Sequence, residues 1–247
     1  MSAELTRLFA MLLSLIGPPA PGDPDVNMPK TLILKPGDQI IAIGDSITQA
    51  GGYLKDVDAV LAARFPELKL PPIINVGIGG QKAEDLIIRF QKDVIDRKPA
   101  VVTISIGIND VWHRAGNPHD PQVLATYWKN VATMVSKAEA AGIKVILLTP
   151  TIIREDLLSL ENRRLQIYIE AEKQIAREGK CTLVDLHILF ARAIARRPDD
   201  VPNSEAWLTS DGVHMNPAGD ALMAIGVLRG LGIPDEKILA PAPNSAK

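Results

Sequence analysis

One cysteine in 247 residues rules out an intrachain disulfide and any zinc site built from several thiolates. That residue, Cys181, opens an apolar run and reads as a small buried filler. Charge of one sign is lacking too: 27 Lys+Arg against 29 Asp+Glu leave a formal net charge of -2, and no nucleic acid partner is expected. The short basic clusters, Arg163-Arg164 and Arg192 with Arg196-Arg197, fall in helical patterns and read as solvated faces. No apolar run reaches membrane-spanning length, so no stable membrane insertion is expected. The segment Leu8 to Gly17 fits either the apolar core of a cleaved export signal or a short helix packed on the domain. Arg7 ahead and Pro18-Pro19-Ala20-Pro21-Gly22 behind favour the first reading, while Glu4 and the lack of a clean small-x-small cleavage pattern favour the second. The first places the protein in a secreted or periplasmic setting; the second is compatible with the cytoplasm. The four histidines form no His-rich ligand cluster, so neither metal nor cofactor is expected.

What is present is a chain long enough for one large domain, with 47% hydrophobic residues, that should bury about three quarters of its unfolded surface. The reading is an N-terminal segment over 1–30 with a linker from 18, a single domain over 31–239, and a loose Ala/Pro-rich tail over 240–247. Short apolar runs at Ile40–Ile43, Ile73–Val76, Ala100–Ile106, Ile143–Leu148 and Thr182–Leu186 read as strands. Between them, helical spacing over Tyr53–Phe65, Ala83–Ile95, Pro121–Ala141 and Leu157–Arg177 is stopped by Pro66, Gly142 or Gly179. Five alternations of this kind, each strand apolar on both faces, predict an α/β fold: a three-layer α/β/α sandwich around a central five-stranded parallel sheet.

The first strand ends at Gly44-Asp45-Ser46, and ligands in open α/β sheets bind at carboxyl ends of strands. Ser46 is therefore the candidate nucleophile, although a serine there also suits a helix cap or turn. A serine hydroxyl needs a base and a group to orient that base. Asp211-Gly212-Val213-His214 supplies both, because a carboxylate three residues ahead, across a glycine, can curl back onto the imidazole and fix its tautomer. Pro217, a favoured first helical residue, follows closely. Acyl transfer also needs donors for an oxyanion. Gly80, at the end of Asn75-Val76-Gly77-Ile78-Gly79-Gly80, can offer a bare backbone N–H, with Gly77 and Gly79 as competitors, and Asn109 can offer a side-chain amide. The glycine spacing matches neither G-x-G-x-x-G nor a P-loop, and Thr48 stands where G-x-S-x-G would need its second glycine.

These four blocks, Gly44-Asp45-Ser46-Ile47, the turn ending at Gly80, Gly107-Ile108-Asn109-Asp110 and Asp211-Gly212-Val213-His214, resemble in order and approximate spacing those of the SGNH hydrolases, also called the GDSL esterase/lipase family. The resemblance covers roughly residues 38 to 230. It implies a flavodoxin-like sandwich and ester hydrolysis through an acyl-serine intermediate. By position, Ser46 matches the nucleophile, Asp211 and His214 complete the triad, and the N–H of Ser46, Gly80 and Asn109 match the oxyanion hole. Asp45 matches a residue that braces the turn.

Tyr53, Trp112 and His113 stand near these blocks and are candidate pocket residues, with core packing or a solvent-facing loop as the alternative; His119 and His187 read as structural. The expected substrate is a small-molecule or carbohydrate ester, with a short acyl group such as acetyl, since the loops carry no large apolar excess. Alternatives are a lysophospholipase or thioesterase with the same groups, and a catalytically silent binding domain on the same scaffold. A metal hydrolase using Asp45, Asp110 and His214 is disfavoured by the absent ligand cluster.

Overall fold

The structure, a computed structural model, describes residues 1–18, 27–198 and 206–240. Most of the expected linker, the tail beyond Ala240 and the middle of the Arg197–Leu208 loop lie outside the described residues. Five strands form one parallel sheet: β1 (Ile40–Gly44), β2 (Ile74–Asn75), β3 (Val101–Ser105), β4 (Lys144–Leu148) and β5 (Thr182–Val184), in the spatial order β2-β1-β3-β4-β5. Every residue of β1, β3 and β5 is buried. Such two-sided burial explains why these segments read as continuous apolar runs rather than alternating ones. The β1–β3 register pairs Ile40 with Val101 and Gly44 with Ser105, so the two strands end level.

The helices are α1 (Ala3–Ile16), α2 (Ser46–Ala50), α3 (Gly52–Arg64), α4 (Ala83–Asp93), α5 (Ile108–Trp112), α6 (Pro121–Ala140), α7 (Leu160–Gly179), α8 (Leu186–Ala195), α9 (Pro217–Gly230) and α10 (Asp235–Leu239). One layer joins α1, α3, α8, α9 and α10; the other joins α4, α6 and α7, with α5 packed on α7. Caps set several starts: Asp120 accepts from Gln122 N–H ahead of Pro121, Ser159 caps α7, and Asn216 accepts from the N–H groups of Ala218 and Gly219 ahead of α9. Helix α1 buries Phe9, Leu12, Leu13 and Ile16 in the same apolar cluster as the sheet, the packed-helix alternative for that segment.

Several expectations are corrected. Short helices α2 and α5 occupy Ser46–Ala50 and Ile108–Trp112, which read as turns because five residues are too few to show a helical period. The fifth strand stops at Val184, and α8 starts at Leu186 under the Asp185 cap; a continuous apolar run concealed that change. Helix α7 begins at Leu160 rather than Leu157 and continues through Gly179 to a left-handed Lys180. Arg164 does not belong to a solvated face: it is 8% exposed, and its guanidinium donates to the carbonyls of Arg114 and Asn117.

Candidate active site

The strand order reverses between β1 and β3, and the crevice beyond their carboxyl ends is where open α/β sheets hold ligands. Ser46 follows β1 directly as the first residue of α2, with Asp45 as its N-cap. Asp45 is 2% exposed and its carboxylate accepts the Ile47 N–H at 3.0 Å. Burial pushes this carboxyl up to about 6, against the pull of the Ile47 bond and the nearby His214. As the first helical residue, Ser46 has an N–H without an intrahelical acceptor.

His214 arrives from the other end of the chain. Ser210 N–H donates to the His214 carbonyl at 2.8 Å, Thr209 bridges to Met215, and Asn216 Nδ2 donates to the Trp207 carbonyl, so the segment before α9 is a closed turn. Glu155 holds its start by accepting the N–H groups of Trp207 and Leu208 at 2.9 and 2.7 Å. No local pattern in the sequence marks Glu155 for this work. The result is a connected chain of contacts: Ser46 Oγ lies 2.8 Å from His214 Nε2, and Asp211 Oδ2 lies 2.6 Å from Nδ1. Asp211 Oδ1 also accepts the backbone N–H groups of Val213 and His214. Burial would raise the Asp211 carboxyl, but the His214 ring and these two N–H groups outweigh it and hold the group at about 2. An anionic carboxylate on Nδ1 leaves Nε2 free to take the serine proton.

The glycine turn sorts itself by hydrogen bonding. Gly77 N–H donates to Asn75 Oδ1 at 2.9 Å and Gly79 N–H to Gln49 Oε1 at 2.8 Å, whereas Gly80 N–H has no acceptor among the described residues. A side chain at Gly77 would overlap Gln49 N and lie 2.7 Å from the Thr48 carbonyl carbon, in the helix that carries Ser46. That glycine is therefore a packing requirement. Arg89 ties the strand ends together by donating to the carbonyls of Val76 and Gly44 at 2.7 and 3.2 Å. Asn109, 1% exposed, donates from Nδ2 to the Gln81 carbonyl at 3.1 Å. One N–H of that amide is thereby anchored and the second remains available.

Residues 42–222 match the GDSL-like lipase/acylhydrolase family. The chain belongs to this family. Among its relatives is an acetylxylan esterase of Geobacillus stearothermophilus, 32% identical over 214 residues that make up 79% of this chain and 94% of that protein. The solved structure of that esterase superposes with a TM-score of 0.71 at 31% identity, covering 81% of this chain and 97% of the other. Solved variants described as catalytic mutants replace a serine, a histidine or an aspartate by alanine. An α/β-hydrolase enzyme from the metagenome of Lake Arreo, Spain, gives a TM-score of 0.71 at 29% identity, with coverages of 81% and 98%. A Bacillus subtilis lipoprotein, YqeF, is 33% identical over 118 residues, 45% of this chain and 48% of that protein. As a GDSL-like hydrolase with an acetylxylan esterase for a relative, the chain is a serine ester hydrolase.

Within this GDSL-like site, Trp112 lies edge-on to the His214 ring, with centroids 6.3 Å apart, and 5.7 Å from the His113 ring. His113 Cε1 comes within 4.0 Å of the point where a Gly80 side chain would begin. Both candidates therefore border the crevice. Tyr53 does not. It is 0% exposed, and its hydroxyl is 3.1 Å from Thr48 Oγ1, so it is a core residue with no surface to offer a substrate. His187 is buried and its Nδ1 lies 2.5 Å from the Thr151 carbonyl, while His119 is exposed. Asp110, which ends the Gly107-Ile108-Asn109-Asp110 block, is 5% exposed and accepts the Ala83 N–H at 3.3 Å. Burial pushes its carboxyl up to about 7. Among the described residues no group of three or more His, Cys, Asp or Glu could hold a metal ion, and no helix is long and apolar enough to cross a membrane.

Proposed function

We propose that the chain hydrolyses short acyl esters, acetyl groups on a carbohydrate above all, through an acyl-Ser46 intermediate. The observation that carries this reading is the continuous Ser46–His214–Asp211 contact chain at 2.8 and 2.6 Å. His214 Nε2 takes the Ser46 proton as Oγ attacks the ester carbonyl. The resulting oxyanion is met by the N–H groups of Ser46 and Gly80 and the free N–H of Asn109. Collapse breaks the bond to the alcohol, which leaves with the proton from His214. Water then gives its proton to His214, attacks the acyl-serine, and releases the carboxylic acid as Ser46 recovers its proton. Asp211 stays ionised throughout and orients the ring.

The printed activity of the Geobacillus relative supports acetyl on a xylan-type sugar as the substrate class. Its catalytic mutants at serine, histidine and aspartate support the triad, since there too the aspartate stands three residues ahead of the histidine. The lipoprotein name of the Bacillus subtilis relative supports a site of action outside the cytoplasm, whereas the buried contacts of α1 support the packed-helix alternative, which is compatible with the cytoplasm. Ser46→Ala should lower kcat on p-nitrophenyl acetate by at least about 10⁴-fold and abolish labelling by a fluorophosphonate, with the melting temperature kept. Activity near the wild-type level would remove the serine mechanism. A panel of esters of rising chain length separates acetyl esterase from lysophospholipase or thioesterase by where kcat/KM peaks.

A further inference from the structure

Away from the triad, α6 and α7 enclose a polar pair that the reaction does not touch. Tyr127 is 1% exposed and Glu172 is 0% exposed. The Tyr127 hydroxyl lies 2.5 Å from Glu172 Oε1 and 3.2 Å from the Ile106 carbonyl. A phenol has one proton, and a carbonyl oxygen can only accept. If Glu172 were a carboxylate, Tyr127 would face two acceptors and one of the two contacts would lack a proton. Both contacts are hydrogen bonds only if the carboxyl group supplies the second proton. Glu172 O–H then donates to the Tyr127 oxygen, and Tyr127 O–H donates to the Ile106 carbonyl.

The neighbourhood agrees with that count. Glu172 Oε2 is buried without a hydrogen-bond partner, a costly position for an ionised oxygen and a cheaper one for a neutral acid. Burial drives the Glu172 carboxyl well above the usual carboxylate range, and the charges of Asp185 and Asp110 push the same way, against the Tyr127 bond. The Tyr127 ring is itself fixed, packed edge-on against Tyr168 at 4.8 Å between centroids.

The pair matters because of what it presses on. Ile106 and Gly107 join the end of β3 to α5, and α5 carries Asn109. Gly107 is the N-cap of α5, with φ at 118°, a backbone state that L side chains rarely adopt. A side chain there would start 2.7 Å from the Tyr127 hydroxyl. The hydroxyl thus bonds Ile106 and fills the space that a side chain at Gly107 would need, in the turn that leads to Asn109.

We propose that Glu172 is kept as a neutral carboxylic acid whose proton orders Tyr127, and that Tyr127 in turn fixes the Ile106-Gly107 turn so that Asn109 meets the developing oxyanion. Glu172 and Tyr127 are positioning residues, and this assignment rests on the esterase reading. Tyr127→Phe removes the donor to Ile106 and should lower kcat about tenfold, since small displacements of an oriented group are costly in rate, while KM stays within about twofold. Glu172→Gln keeps a donor toward Tyr127 and should retain kcat within about threefold, whereas Glu172→Leu should resemble Tyr127→Phe.

Infrared difference spectra supply a readout independent of turnover. At alkaline pH, where Asp45 and Asp110 are ionised, the wild type should keep the carbonyl-stretch band of a protonated carboxylic acid; Glu172→Gln should lose it and Ser46→Ala should not. Absence of that band, a Glu172→Gln variant as slow as Glu172→Leu, or a Tyr127→Phe variant with unchanged kcat would each overturn the proposal. If Glu172→Leu fails to fold, the band and the Tyr127→Phe kinetics still decide. Full activity of Ser46→Ala would sink the esterase reading and leave the band untouched, so the two failures are distinguishable.

Discussion

At the scale of single residues, the site depends on hydrogen bonds that are each anchored at one end. Asn109 is held by the Gln81 carbonyl, so Asn109→Ala should cost about 10²-fold in kcat with little change in KM if its second N–H meets the oxyanion. A loss confined to KM in steady-state assays would move Asn109 to substrate binding. Asp110, one residue on, gives a prediction about stability. Its carboxyl has a value of about 7 in the folded chain against 3.8 for a free side chain, so protonation favours the folded state. That contribution is full below about 3.8 and is lost as pH rises through about 7. Thermal unfolding across this range should therefore show Asp110→Asn gaining on the wild type as pH rises, by about 4 kcal/mol at most. The Asp110 consequence was not readable from spacing alone, because it depends on burial. The residues at the crevice were legible because serine, histidine, aspartate and asparagine stand in short blocks with local partners. Glu155, Arg89 and Arg164 were not, because each acts on backbone far away in the chain. Tyr53 misled for the opposite reason: closeness in sequence to Ser46 does not say which side of a helix faces the cleft.

At the scale of elements, the fold was legible wherever an apolar run or a helical spacing is long enough to count. This includes the edge strand β2, which, against expectation, is not buried on both faces. All five strands and the helices α3, α4, α6 and α7 follow from apolar runs and helical spacing. The misses are helices too short to show a period, α2, α5 and α10, and α8, whose start is concealed in an apolar stretch that continues from β5. Helix α1 has the clearest energetic consequence. It buries four large apolar side chains, Phe9, Leu12, Leu13 and Ile16, and Arg229 donates to the Gly17 carbonyl at 2.8 Å. At ~1.5–3 kcal/mol for each side chain, their burial is comparable to the whole stability of an ordinary domain, ~5–15 kcal/mol. Phe9→Ala alone should cost ~3–5 kcal/mol, and removal of residues 1–17 should leave a chain that binds a hydrophobic dye and loses its cooperative melt. A truncated protein that melts like the full chain would show that α1 is dispensable.

At the scale of the molecule, the sheet order brings the residues after β1, β2 and β3 to one edge, and the turn before α9 closes over them. Charge plays little part in bringing a neutral ester there, because the chain's formal net charge is only -2. For a neutral acetyl ester, kcat/KM should shift by less than about twofold between low and high salt; a steep loss would point to a charged substrate instead. One more property follows from the guanidinium of Arg164, which grips the carbonyls of Arg114 and Asn117 from α7. The bend that follows Trp112 and His113 is thereby clamped by α7, the helix on which α5 packs. Were substrates selected on that side, the selection would fall to a held turn rather than to a closing flap, and altering it would call for reshaping the bend while keeping its clamp.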